Sequence, residues 1–194
     1  MKNLFPYEKD IPTEMLEGIP VGGMDYLVAG KVEGWKGPFR EVSSPVLLQG
    51  AGGLSRKCIG SVPSMDEEAS LGMLRQAREA YSAGMGEWPR LSASARAERM
   101  NAFILRMEEK RDSIVRLLEW EIGKTVGDAA NEFDRSLAYA RACLEMLPPC
   151  GGRPGGLTVD NGVAGRLERV PRGVVLIMGP FNYPLFEKMT AFAP

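Results

Sequence analysis

The chain has 194 residues, 44% of them hydrophobic and 25% charged, and its 24 basic and 25 acidic side chains leave a formal net charge of -1. That balance suits a globular protein, argues against disorder over the whole length, and offers no basic face for a nucleic acid backbone. The longest apolar stretch, residues 173–180, falls far short of the roughly 20 residues that span a bilayer. The opening MKNLFPYEKDIP has acidic residues and an early proline where a secretory signal has a continuous apolar segment, so the cytoplasm is the expected location.

The three cysteines, Cys58, Cys143 and Cys150, form no CxxC pair and read as reduced thiols, not a disulfide frame. Histidine is absent, which removes the commonest general base at neutral pH and the commonest zinc ligand; no metal site is expected.

In chain order, DYLVAGKVEGW and REVSSPVLLQG alternate weakly over residues 26–48, with Gly and Pro between the runs, and predict short strands or hairpins. Ser64 and Glu67 have the spacing of a capping box, so a helix should begin there. Leu71, Leu74, Ala77 and Tyr81 would form its buried face until Gly84 and Gly86 interrupt it. Ser92 or Ser94 can cap a second helix with Met100, Phe103, Ile104 and Met107 on one stripe, opposite Arg99, Arg106 and Glu108. The stripe resumes at Ile114, Leu117 and Leu118.

A third helix is predicted over residues 126–147, with Val126, Ala130, Phe133, Leu137, Ala140 and Leu144 facing inward and Pro148 and Pro149 ending it. PPCGGRPGG reads as a loop. GRLERVPRGVVLIMGP then alternates before becoming a continuous β-branched run, the pattern of a strand entering a sheet covered on both faces. Residues 174–178 are that strand. The order of hairpins, helical layer and strand indicates an α/β chain without internal repeats.

GPFNYP follows this strand, and Gly179, Pro180 and Pro184 all disfavour continuing a regular element. Open α/β sheets bind ligands at such carboxyl ends. Asn182 there offers a neutral amide donor able to stabilise an oxyanion; alternatively it closes the turn through its own backbone. Glu121 and Lys124 are read as an i,i+3 ion pair near a helix end, with no catalytic role.

RVPRGVVLIMGPFNYPL resembles the strand and turn that open the cofactor domain of aldehyde dehydrogenases: a glycine, a hydrophobic strand, then Pro-(Trp/Phe)-Asn-(Phe/Tyr)-Pro. Within that superfamily the chain is most similar to the NADP-dependent, non-phosphorylating glyceraldehyde-3-phosphate branch. EWEIGKTVGDAANEFDRS resembles that branch's Glu-Ile-Gly-Lys helix and following Glu-(Val/Phe)-x-Arg, and GEWPRLSASARAERM resembles its Trp-Pro-x-(Leu/Met)-(Ser/Thr)-x-x-x-Arg segment. The three motifs occur in order over roughly residues 22–185.

The resemblance implies an α/β fold with a Rossmann-like cofactor domain, of which this chain holds the beginning. Residues 1–63 would be an N-terminal extension with β hairpins and 64–150 the helical part of the cofactor domain. Residues 151–172 would form an oligomerisation ribbon, to which 157–169 contribute, and 173–194 the start of the sheet. It implies oxidation of an aldehyde, glyceraldehyde 3-phosphate first, through a cysteine thioester with hydride transfer to NADP or NAD, by a homo-oligomer when full-length.

Asn182 would hold the aldehyde oxygen as it becomes an alkoxide, a contact typically worth about 3 kcal/mol of barrier, and Tyr183 would line the substrate pocket. Gly179, Pro180 and Phe181 would run past the nicotinamide. Arg135 matches the arginine that binds the substrate phosphate, for which a guanidinium fork is suited; alternatively it is a solvated arginine paired with Asp134 or Glu132.

In the family the nucleophilic cysteine, general-base glutamate and cofactor lysine lie beyond the point reached at Pro194, and no cysteine of this chain matches the nucleophile. The chain is therefore expected to be an incomplete enzyme with the apolar face of residues 174–178 left exposed. After Leu185, FEKMTAFAP departs from the pattern, with Phe186 where Asn or an aliphatic residue is usual. Two other readings stay open: a non-catalytic module that associates with complete subunits, and an enzyme for another aldehyde such as a semialdehyde.

Overall fold

The alternation near the amino terminus becomes two antiparallel hairpins. In the computed structural model, which describes residues 5–21, 25–150, 158–165 and 170–193, a 3-10 turn at Glu8–Asp10 and a short helix α1 (Thr13–Leu16) precede strands β1 (Asp25–Val28) and β2 (Lys31–Gly34). Ala29 and Gly30 close this first hairpin with φ of 48° and 75°, the left-handed pair that matches the twist of the strands it joins.

The second hairpin is longer. Strands β3 (Phe39–Gly50) and β4 (Gly53–Pro63) pair from Phe39 opposite Pro63 to Gly50 opposite Gly53, with register shifts at Val42/Ser43 and between Ser43 and Leu47. Pro45 lies inside that irregular stretch and has no N–H for a ladder, so the strand breaks pairing there. The break turns Ser44 inward: fully buried, its hydroxyl donates to the Trp120 carbonyl and accepts from Val46 N at 3.1 Å. The predicted strands stop at residue 48, whereas the ribbon continues to Pro63.

Helix α2 (Glu67–Tyr81) is capped by Asp66, whose carboxylate accepts from Ala69 N at 2.8 Å. The expected cap, Ser64, is drawn away because its amide donates to the Pro38 carbonyl at 2.9 Å. The expected buried face of α2 is also absent: no residue of the helix is buried, and Leu71 and Leu74 are 44% and 46% exposed. Among the described residues α2 packs chiefly against the turn after it and the short helix α3 (Glu87–Arg90), too little surface to cover the stripe.

The core forms from the next three helices. Ser92 caps α4 (Ala93–Glu108) by accepting from Ala95 N at 3.1 Å. Helix α5 (Arg111–Ile122) stops at Gly123, left-handed at φ 74°, as glycine permits. Helix α6 (Val126–Cys150) contributes Phe133, Leu137 and Ala140, which meet Met100 and Ile104 of α4 and Val115 and Leu118 of α5 in one buried cluster. Val126 departs from expectation at 60% exposed; it opens the helix a turn before Ala129 reaches the core. Helix α6 also runs on to Cys150, past the predicted stop, with Pro148 and Pro149 in its last turn.

A second cluster, Leu48, Ile59 and Trp120 with Leu16 and Ile19 against it, seats the long hairpin and the amino-terminal segment on α5. The indole of Trp120 donates to the Met15 carbonyl at 2.7 Å.

Strands β5 (Thr158–Asp160) and β6 (Val163–Gly165) turn at Asn161 and Gly162, with φ of 48° and 80°, within the expected ribbon. The other ribbon residues, 151–157 and 166–169, lie outside the described residues, as does most of the predicted Gly/Pro loop. Residues 174–178 do not form the predicted strand. Among the described residues no ladder reaches them, and a strand needs a partner for its amides and carbonyls. Val175, Leu176 and Met178 are 70%, 80% and 79% exposed, as expected for a sheet face without its cover. The segment is tied at its start by the Tyr81 hydroxyl, which donates to the Pro171 carbonyl at 3.1 Å. After a bend it enters helix α7 (Phe186–Phe192), which returns to the core through Met189 and Ala193. No described helix is long and apolar enough to cross a membrane.

Candidate active site at the Asn182 turn

Glu132 lies on the inward stripe of α6, between Ala129 and Phe133, and is 3% exposed. A carboxylate so placed loses its hydration and needs partners. One oxygen accepts from the amides of Leu185 and Phe186 at 3.0 and 3.1 Å; the other accepts from the Lys124 ammonium. The same ammonium lies 4.0 Å from the centre of the Tyr183 ring. The chain leaving the GPFNYP bend is therefore anchored to α6 by its backbone, and the Tyr183 side chain is held beside the α5–α6 connection.

Within this bend Asn182 is exposed, and its side chain makes no hydrogen bond to another described residue. The alternative use of this residue, closing the turn through its own backbone, is not seen: Glu132 makes the closing contacts. Phe181 is 75% and Tyr183 40% exposed, and Pro180 is exposed beside them. Gly179 is constrained by proximity. A Cβ there would come within 2.9 Å of Lys188 Cγ and 3.2 Å of the Pro184 carbonyl oxygen, because α7 folds back over it.

Arg135, also on α6, is paired with neither carboxylate proposed for it. Asp134 is taken by Arg111, with Nε–Oδ1 and Nη2–Oδ2 distances of 2.9 and 2.8 Å, a fork that holds the Asp134 carboxyl below its ordinary range. Glu132 is taken by Lys124. The exposed Arg135 guanidinium instead lies 4.9 Å from the centre of the Phe186 ring, and Tyr139 packs edge-on against that ring at 6.2 Å. Phe186, the residue that departs from the pattern, thus has a defined place. The expected Glu121–Lys124 ion pair is replaced by Lys124–Glu132, since the Gly123 cap turns Lys124 back toward α6.

The cysteines lie apart from this chemistry. Cys58 contacts the Gly60 carbonyl within the long hairpin at 3.4 Å. Cys143 is half-buried on α6, where its hydrogen bond is the main cause pushing the Tyr139 phenol up. The Cys150 side chain lies outside the description. Among the described residues no group of three His, Cys, Asp or Glu side chains is placed to hold a metal ion. The sequence offered Glu132 only as the motif's glutamate and a possible partner for Arg135, and its hold on the Leu185 and Phe186 amides was missed. Its signal was a charged side chain on an otherwise apolar stripe, inside the NEFDRS motif.

The sequence profile of the aldehyde dehydrogenase family matches residues 53–194. This chain belongs to that family. Among curated aldehyde dehydrogenases, the chloroplastic betaine aldehyde dehydrogenase of Amaranthus hypochondriacus is 27% identical over 164 residues, covering 82% of this chain and 32% of the relative. A malonate-semialdehyde dehydrogenase of Bacillus cereus (strain G9842) is 26% identical over 139 residues, covering 70% of this chain and 27% of the relative. The chain spans about a third of the length of the curated aldehyde dehydrogenases it matches. In fold it is similar to a solved betaine aldehyde dehydrogenase variant of Staphylococcus aureus in complex with NAD+, with a TM-score of 0.73 at 21% identity over 94% of this chain and 34% of that one. Its α/β architecture is accordingly that of the amino-terminal part of an aldehyde dehydrogenase.

Proposed function

We propose that this chain is the amino-terminal part of an oxidoreductase that converts an aldehyde to the carboxylic acid with NAD or NADP, and that its aldehyde carries an anionic group. The observation that carries the reading is Asn182, an unengaged amide donor on a turn whose backbone is clamped to the core. A donor held in place before reaction stabilises developing negative charge without reorganising, which is how such groups lower barriers. Asn182 donates to the aldehyde oxygen as it becomes an alkoxide, and Tyr183 flanks the substrate. When bound, the nicotinamide supplies the hydride acceptor. Gly179, Pro180 and Phe181 suit its approach, one as a backbone stretch without a side chain and the others as exposed apolar surface. The nucleophilic thiolate and general base belong to the part of the family's length that this chain does not match.

Arg135 supports the anionic substrate. With Asp134 and Glu132 both engaged, its guanidinium has donors to offer a phosphate or carboxylate, which favours glyceraldehyde 3-phosphate or a short semialdehyde acid over a cationic aldehyde such as betaine aldehyde. The named Bacillus relative fits the second of these.

The test follows absorbance of the reduced cofactor with glyceraldehyde 3-phosphate, malonate semialdehyde and betaine aldehyde, each with NAD and NADP. The assay uses the 194 residues alone and grafted in place of the matching third of a malonate-semialdehyde dehydrogenase. Turnover only in the hybrid, with an anionic aldehyde preferred, is the expected result. Turnover by the chain alone that is lost on Cys58→Ser, Cys143→Ser or Cys150→Ser overturns the placement of the nucleophile. A second reading, a non-catalytic piece bound to complete subunits, is favoured by the exposed residues 174–178; stable association together with an inactive hybrid would select it.

A further inference from the structure

The backbone bonds that follow the Asn182 turn and the cation beside its neighbouring ring converge on one carboxylate. Glu132 occupies a position on α6 whose neighbours along the stripe, Ala129 and Phe133, are buried and apolar. A charged group there carries a desolvation cost that an apolar residue would not, so packing alone does not account for it. What it does is directional. One oxygen gathers two successive amides, those of Leu185 and Phe186, three and four residues after Asn182. The other holds Lys124, which in turn lies over Tyr183, the residue next to Asn182. The turn is thus held on its far side through the backbone and on its near side through a ring.

We infer that Glu132 is a positioning residue for Asn182: its carboxylate fixes the backbone leaving the turn, and through Lys124 the flanking ring, so that the turn keeps a single backbone path and presents the Asn182 amide from a fixed position. Helix α6 therefore carries both the substrate-facing Arg135 and the anchor of the oxyanion donor, and sets their spacing as one rigid element. The inference rests on the oxyanion reading of Asn182. The clamp is read in backbone amides and the oxyanion role in turnover, so either can fail without the other.

The experiment is amide hydrogen exchange and proton chemical shifts by NMR on the isotopically labelled 194-residue chain, as wild type, Glu132→Gln and Glu132→Ala. In Glu132→Ala the Leu185 and Phe186 amides exchange at least about tenfold faster, the loss of one hydrogen bond's worth of protection, while Ile104 and Leu137 keep their rates. The Asn182 side-chain NH2 signals broaden or split. Glu132→Gln retains an acceptor but not the charge, so both amides keep protection, their resonances move upfield, and the Asn182 signals return to a single set. Wild-type exchange of Leu185 and Phe186 in Glu132→Ala, or a single unchanged set of Asn182 signals there, overturns the inference. Should Glu132→Ala also lose protection at Ile104 and Leu137, Glu132→Gln decides: unmoved Leu185 and Phe186 resonances would overturn the clamp.

Discussion

The guanidinium of Arg135 lies over the ring of Phe186, 4.9 Å from its centre, so a side chain that could have been lost to a carboxylate is instead kept planar and turned along the surface. Cation–π contact of this exposed kind is worth only about 0.5–1 kcal/mol, weak enough for an anion to share the guanidinium. In the hybrid enzyme, Arg135→Ala should raise KM for an anionic aldehyde about tenfold or more while leaving kcat within a factor of a few, the signature of lost ground-state binding. An uncharged aldehyde should show no such change. Equal effects on both substrates would remove Arg135 from the substrate site.

Asn182→Ala should behave in the opposite way. With an exposed side chain and no described partner, its loss should leave thermal stability within about 0.5 kcal/mol of wild type, yet kcat of the hybrid should fall on the order of a hundredfold. Calorimetry and steady-state rates on the same preparation check both halves.

Ser44→Ala is expected to destabilise the chain without touching the turn. Its buried hydroxyl serves the Trp120 carbonyl and the Val46 amide, and losing it leaves two polar groups of the hairpin–α5 junction unpaired, at about 1–3 kcal/mol. Denaturant unfolding would show a lower midpoint with unchanged slope; an unchanged midpoint would mean that water replaces the hydroxyl.

Acid should weaken the α5–α6 contact through Asp134. Its carboxyl is held below the ordinary range by the Arg111 hydrogen bonds, so the pair contributes fully above the usual carboxylate value of about 4 and is lost as pH falls through the lower folded value. The pair is exposed, with side chains 40% and 56% accessible, which limits the effect to about 0.2–1 kcal/mol. Wild type should lose that much more stability than Asp134→Asn between pH 5 and 2, values chosen to bracket the ordinary carboxylate range at about 4; parallel curves would deny the pair a role.

Helix α4 was legible because period and cap agree, since Ser92 caps a stripe that does pack. Helix α6 was legible from period alone, with Phe133, Leu137 and Ala140 buried as their spacing requires. Helix α5 was visible only as a resumption of the α4 stripe, because the break before Arg111 carries no side-chain cap. The stripe of α2 is equally periodic but exposed, because periodicity reports a face able to pack and says nothing of whether a neighbour is present. Residues 174–178 fail for the same reason in another geometry: a strand is a property of two segments, and β-branched composition specifies only one of them. At the turn, Asn182 and Gly179 were visible as local chemistry. The Glu132 clamp was not, since it joins residues more than fifty positions apart and a lone acidic residue in a helix ordinarily reads as a solvated one.

Pro171 and Pro180 bracket the exposed run at 174–178, and neither can donate a ladder hydrogen bond. Any strand that docks there, from the family's own sheet or from another copy in an overcrowded solution, is limited to the residues between them. The prolines thus bound the run at both ends, which keeps short the uninterrupted edge that a further chain could template on.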